Sequence, residues 1–480
     1  GATSGLHVNG GTFTQNGASV TNQGMVKVTT GTANFGNSFG NSVLNQLTST
    51  FILDGAGTIN VAGRIKLNST SSFSQNAGTV NVCTIENGTT NQGSIDLSAN
   101  TSFTMTGGAI NIVQKSIGAT QVDYRNLAGT VSISGGTLTI GTNATSASSN
   151  FNIQGAMPPL VVDNTTNAKT ATINGASTVY GNVTINSTSS LVLNSGVTAT
   201  VNGSLSNSGT YNATGTLNLS GDWTNTGTVT ANAPSLVTFF GSSDQNVTSG
   251  GSSFANVTLN NTSSAGYEGI VLQDAMTVNG ALTFTDGNIQ LGVNDLTIGA
   301  SGTVVTPSAT SHVITASSGV VTKNTLGATE FTFPVGTSIS LYTPIKLANS
   351  GTADNFSVYV TDDVLDGGTT GSIYNTGRVA KTWHVSESTV GGSSVTMTPY
   401  WSAGDEDAQF DRTVALVSHW DGSAWDMPIE ASAQTSGGLY YVSRSGLSSF
   451  SPFMVQRNSF TPLPITLSYF GGTCNPEGNE

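Results

Sequence analysis

The sequence predicts an all-β protein, a right-handed parallel β-solenoid followed by an antiparallel β-sandwich, and three observations carry that reading. A Gly-Thr dipeptide followed by alternating apolar and polar residues recurs through residues 1–310. Short runs rich in Thr, Val and Ile return about every ten residues, separated by Asn-Gly, Ser-Gly and Gly-Gly turns. Near residue 310 the composition shifts towards longer, aromatic-rich segments.

Within 1–310 the repeat appears as Gly57-Thr58-Ile59-Asn60-Val61, Gly78-Thr79-Val80-Asn81-Val82, Gly136-Thr137-Leu138-Thr139-Ile140 and Gly215-Thr216-Leu217-Asn218-Leu219, among other copies. A period of two is the strand signal, so each copy is a short strand with one dry face. Val80, Val82, Leu138 and Ile140 are expected inside, Thr79 and Asn81 outside. Such strands suit a sandwich or a solenoid. The turn density, the lack of helix-forming stretches and the absence of proline before Pro158 favour the solenoid, in which each coil buries its apolar residues on the coils above and below. Coils of ~20–25 residues are expected, with Asn and Thr side chains forming hydrogen-bonded ladders along the axis.

Beyond residue 310 lie four of the five tryptophans and most of the prolines and carboxylates, and residues 311–460 are read as one sandwich domain. Phe331-Thr332-Phe333, Phe356 to Val360, Val395 to Thr398 and Val414 to Val417 are the strands expected to build the sandwich. Residues 461–480 form a Pro-punctuated strand, Pro462 to Phe470, and a polar tail.

Composition excludes several functions. Only 8% of residues are charged, against ~25% in an ordinary soluble domain, and Gly, Ser, Thr and Asn fill about half of all positions. With 13 basic and 26 acidic residues and net charge −13, the chain lacks the cationic stripe that nucleic acid requires. No stretch approaches a membrane-spanning length of apolar residues, and nothing at Gly1 resembles a signal peptide, so a mature exported chain without membrane insertion is expected. Two cysteines do not make a disulfide scaffold. His7, His312, His384 and His419 show no paired metal-ligand spacing, so no cofactor is expected.

Two carboxylate runs stand out: Asp362, Asp363 and Asp366, and Asp405, Glu406 and Asp407 followed by Asp411. Both are dense enough in oxygen to attract calcium, although neither has the spacing of a defined calcium loop; the alternative is a solvated acidic loop. The tryptophans are read as core, with a sugar-stacking platform the alternative. Asp123-Tyr124-Arg125, the sole local charge constellation in the solenoid, is expected to be an exposed turn pair rather than a catalytic one. Cys83 lies in an apolar run and is expected to be an inert buried thiol, whereas Cys474 in the tail is a candidate intermolecular thiol.

The C-terminal segments resemble a known group. Leu463-Pro464-Ile465-Thr466-Leu467-Ser468-Tyr469-Phe470 is similar to the Leu-Pro-(Val/Ile)-x-Leu-x-x-Phe run that precedes the removable sorting domain of type IX secretion substrates. Phe333-Pro334-Val335-Gly336, Arg378 with Trp383 and Val385, Asp421-Gly422-Ser423-Ala424-Trp425 and Phe450-Ser451-Pro452-Phe453 follow the order of a module often found before that run. Phe240-Gly241 and Gln245-Asn246-Val247 resemble coils of the adhesin-like members. The resemblance spans roughly residues 235–470 and implies export to the surface or medium. It implies no chemistry, and a full sorting domain is not part of the sequence.

The expected function is therefore that of an extracellular, non-catalytic structural protein that assembles with copies of itself into a filament or fibre. A monomeric adhesin binding glycans or cell surfaces is the alternative, and a polysaccharide-degrading β-helix enzyme the third. The candidate assembly element is the alternating strand Ile465, Thr466, Leu467, Ser468, Tyr469 and Phe470, which prolines detach from the sandwich and which can add to an open coil edge of the next subunit. Completion of its own sandwich is the other place for that strand.

Overall fold

A computed structural model of the chain describes residues 5–17, 20–37, 43–45, 49–85, 94–115, 122–145, 149–163, 167–263, 269–316, 318–374 and 376–458. Strands account for 57% of it, wound as a parallel β-solenoid of about 13 turns that ends in antiparallel sheets. At ~4.8 Å between stacked strands this is a rod of roughly 60 Å. No helix of the described residues is long and apolar enough to cross a membrane.

The Gly-Thr repeat makes one wall of the rod. Strands Thr58–Val61, Thr79–Val82, Ala109–Ile112 and Thr137–Ile140 stack in parallel and in register. Ile59, Val80, Ile110 and Leu138 therefore lie over one another, and none of the four has accessible surface. On the outer face of the same strands a ladder of asparagines runs along the axis. Asn60 Nδ2 donates to Asn34 Oδ1 at 2.9 Å, Asn81 Nδ2 to Asn60 Oδ1 at 2.8 Å and Asn111 Nδ2 to Asn81 Oδ1 at 2.8 Å. One strand spacing places each amide donor against the acceptor of the coil before it. A second interior column stacks Phe51, Phe73 and Phe103, with ring centroids 5.2 and 5.1 Å apart.

The glycine of the repeat has a steric cause. Gly78 has φ of +69°, and a Cβ there would lie 2.4 Å from the Gly57 carbonyl oxygen. A Cβ on Gly108 would lie 2.6 Å from the Gly78 oxygen. The coil corner stacks backbone directly on backbone, which leaves no room for a side chain.

Further along, the same wall continues through Leu160–Val162, Val183–Ile185, Leu205–Asn207 and Trp223–Asn225. Here asparagine also turns inward. Asn207 and Asn225 are buried, Asn207 Nδ2 donates to Asn225 Oδ1 at 2.7 Å, and Asn225 Nδ2 donates to the Ser249 carbonyl at 2.8 Å. Each amide satisfies corner backbone groups that the apolar interior cannot.

The parallel ladder runs past the composition shift near residue 310. Val313–Ile314 pairs with Ile289 and Gln290 on one side and with Val335 and Gly336 on the other. Strand Val321–Leu326 belongs to both architectures, pairing in parallel with Leu296–Ile298 and antiparallel with Asp354–Asp362. Aromatic content changes before the parallel pairing gives way to antiparallel, so the head is hydrogen-bonded into the last coil.

One head sheet continues from that strand through Asp354–Asp362, Arg378–Glu387, Pro452–Arg457 and Ala415–His419, all antiparallel. The second contains Phe331–Phe333, Ile345–Asn349 and Val395–Trp401, extended by Leu439–Tyr441 and Arg444–Leu447. Trp383 and Trp401 are buried in the head core, and Trp383 Nε1 donates to the Thr343 carbonyl at 3.1 Å. Two of the four head tryptophans are thus core, as their spacing suggested. Trp420 and Trp425 are half-buried and pack edge to face at the surface.

Candidate functional site

Strand Arg378–Glu387 runs through the middle of its sheet and carries Arg378 and Lys381, which are 5% and 2% exposed. Three residues apart on a regular strand, they would point to opposite faces. The pairing register shifts between Arg378 and Thr382, and both side chains reach carboxylates. Lys381 Nζ binds Asp362 Oδ1 and lies 3.4 Å from Asp405 Oδ1. Arg378 Nη2 donates to Asp363 Oδ1 at 3.2 Å, and the Arg378 backbone N–H donates to Asp407 Oδ2 at 2.9 Å. Two acidic runs some forty positions apart in the sequence therefore converge on one pair of cations.

The remaining candidates are engaged as well. Glu406 takes a bidentate pair from Arg412, with Nη2 to Oε2 at 2.7 Å, and accepts from Trp401 Nε1 at 2.8 Å. Asp405 Oδ2 accepts from the Ser402 backbone N–H and hydroxyl at 2.9 and 2.8 Å. Asp366 Oδ1 accepts from the Ser372 N–H at 3.0 Å and closes its own loop. Lys381, Arg378 and Arg412 pair with Asp362, Asp405, Asp363 and Glu406, and among the described residues no group of three His, Cys, Asp or Glu is arranged to hold a metal. The role of Lys381 and Arg378 was not visible in the sequence. The available signal was two bases within four residues in a chain with 13 in total.

Asp362 and Asp363 remain about half exposed despite their partners and line a cleft of about 440 Å³ on the outer face of the sheet. Its floor is Tyr359 and His384, cross-strand partners whose rings stack at 4.1 Å with an interplanar angle of 3°. The same two rings and Thr369 also border a second hollow of about 270 Å³ that extends past Ser357 and Ser386. One wall is the loop from Leu365 to Ile373, pinned from behind. Trp425 Nε1 donates to the Leu365 carbonyl at 3.0 Å, and Trp420 packs so closely on Gly368 that a Cβ there would lie 2.6 Å from its ring. Asp363, at the lip, has φ of +64°, a conformation costly for a residue with a Cβ.

Burial pushes His384 down to about 4, because the imidazolium loses water and gains no anion. His312 and His419 are lowered for the same leading reason. A base with a depressed folded value is neutral in the native state, and the unfolded chain binds the extra proton. Stability is therefore complete above pH 6.5 and falls as the pH drops towards 4. For His384 the loss amounts to about 3 kcal/mol over that window. Urea midpoints at pH 7 and pH 4.5 are expected to differ for the native protein and to draw together in His384→Phe.

The other expected residues fall as follows. Asp123-Tyr124-Arg125 is not an exposed turn pair. Tyr124–Asn126 is a strand, Asp123 is 2% exposed and accepts from the Asn152 N–H, and Arg125 pairs across coils with Asp96 at 2.7 Å. Stacking of successive coils puts Arg125 beside a partner 29 positions away rather than beside its neighbour. Cys83 is buried, with Sγ donating to the Ile85 carbonyl at 3.4 Å. Ile465, Thr466, Leu467, Ser468, Tyr469, Phe470 and Cys474 lie outside the described residues.

Comparison with protein-family models, with curated proteins and with solved structures finds no match to this chain.

The two ends of the described fold differ. Strand Gly5–Gln15 pairs along one edge with Met25–Phe35, and its other edge has no strand partner among the described residues. Leu6 and Phe13 are partly exposed there, whereas Val26 and Ala33, the same positions one coil on, are 3% and 0% exposed. At the head, the sheet's last strand Ala415–His419 is already covered. Ala431 N–H donates to the Ala415 carbonyl, Asp426 N–H to that of His419, and Arg444 Nη1 to that of Val417.

Proposed function

We propose that this chain is an extracellular, non-catalytic structural subunit that polymerises head to tail, the strand Ile465 to Phe470 of one copy pairing with the open edge of Gly5–Gln15 of the next. The observation that carries the reading is the unfilled stack at the first coil. Among the described residues Leu6 and Phe13 are less buried than Val26 and Ala33, which hold the same positions one coil on, and an incoming alternating strand would supply both apolar contacts and backbone partners there. The covered outer edge of Ala415–His419 supports donation over completion of the chain's own sheet, because a tail strand added there would displace three hydrogen bonds. Such an interface is heterologous and does not close, so its product is a filament. The resemblance of the Leu463 to Phe470 run, and of the coils and head module before it, to type IX secretion substrates supports export by that route as part of this reading.

Negative-stain microscopy of the protein with and without residues 463–480 tests this. Filaments from the full chain, and folded particles with an unchanged melting temperature from the truncated one, are expected. Filaments that persist after truncation, or a destabilised monomer, reject strand donation.

A further inference from the structure

The cleft over Tyr359 and His384 has no part in assembly through the first coil. We infer that it is a binding site for a neutral glycan chain. Four features of its construction lead there.

The first is shape. The two hollows form one groove along the strand direction, and from Ser357 to Thr361 it spans about 13 Å at ~3.3 Å per residue. This is an open trough suited to a short stretch of polymer rather than a closed pocket for a compact metabolite.

The second is chemistry. Apolar surface from Tyr359, Leu365 and the half-exposed Ile373 alternates with hydroxyls and carboxylates. Asp362 Oδ1 is held by Lys381 and the Thr337 hydroxyl, and Asp363 Oδ1 by Arg378. Among the described residues the second oxygen of each carboxylate has no protein donor, and both side chains line the groove. Fixed acceptors beside apolar ring and methyl surface match a pyranose, which offers C–H faces and a rim of hydroxyl donors.

The third is rigidity. The wall loop is tied by Trp425 to Leu365, by Trp420 on Gly368 and by Asp366 to Ser372, and the floor rings are stacked. A groove formed before the ligand arrives avoids the ordering cost that weakens recognition of flexible sugars.

The fourth is what the site excludes. Two carboxylates at the lip, in a chain of net charge −13, repel uronates, sulfated glycans and nucleic acid. A peptide cannot add as a strand, because both floor strands are already paired on both edges. Hydrolysis is not expected, since His384 is neutral at pH 7 and Asp362 and Asp363 are each tied to a cation, so no group in the groove is placed to give a proton to a leaving oxygen.

Isothermal titration of the full chain against neutral gluco-, manno- and galacto-oligosaccharides, with oligogalacturonate as the anionic counterpart, tests the assignment. At least one neutral series is expected to bind and oligogalacturonate to bind more weakly. Tyr359→Ala and Ile373→Ser are each expected to weaken binding roughly tenfold or more, with filaments unaffected. Ile373 is a surface residue, so its variant keeps the test alive if Tyr359→Ala fails to fold. Absence of binding by every neutral series, tighter binding of oligogalacturonate, or unchanged affinity in folded variants overturns the proposal. Because filament formation is scored separately, failure here is distinguishable from failure of the assembly reading.

Discussion

Val80→Asp is expected to cost about 4 kcal/mol or more of stability, whereas Thr79→Ala and Asn81→Ala cost about 1 kcal/mol or less. Val80 lies between Ile59 and Ile110 in a column with no accessible surface. A carboxylate there would have no cation and no water, and the stacked coils cannot open on one side without breaking the neighbouring ladders. Thr79 and Asn81 lie on the other side of the same strand and are partly solvated. Loss of one ladder amide leaves its neighbours access to solvent. Urea unfolding followed by circular dichroism measures both, and equal losses for the inward and outward sets would show that the alternation does not define the core.

Lys381→Met carries the second large effect, a loss of about 3 kcal/mol. The exposed Asp362 contributes little to this because water can replace the lysine there. Asp405 decides the magnitude. It is 8% exposed, and with the ammonium removed it keeps only its bonds from Ser402. A buried carboxylate without its counter-charge is the expensive product, so Asp405→Asn in the Lys381→Met background should recover a large part of the loss. If the double variant is as unstable as the single one, the cation is not there to balance Asp405.

The solenoid was legible because its signal is local and repeated. Gly78-Thr79-Val80-Asn81-Val82 specifies a corner, an outward ladder position and two inward positions within five residues, and the coils before and after repeat the specification. The head was legible as strands but not as a site. Asp362, Asp405 and Lys381 meet only through sheet order and a register shift, neither of which leaves a periodic trace. An acidic run open to solvent and one that pairs with a buried lysine look alike until the lysine is placed. Asp123-Tyr124-Arg125 misled for a related reason. In a solenoid the nearest neighbour of a side chain is one coil away, so adjacency in sequence says little about pairing. The fusion of head and rod was hidden because Val321–Leu326 alternates in the same way whether its neighbours run parallel or antiparallel.

The filament reading stands or falls on which strand meets the first coil. Single cysteines placed at Asn9, Thr12 or Thr14 are combined with Ser468→Cys in a Cys474→Ser background, and the assembled protein is oxidised. A disulfide requires Cα atoms within about 7 Å, which neighbouring strands at ~4.8 Å satisfy and more distant segments do not. Strand donation predicts a ladder of covalent multimers on a denaturing gel for at least one pair, lost on reduction and absent from each single-cysteine protein. Intact filaments that yield no multimers for any pair, or bridges confined to single chains, would contradict it.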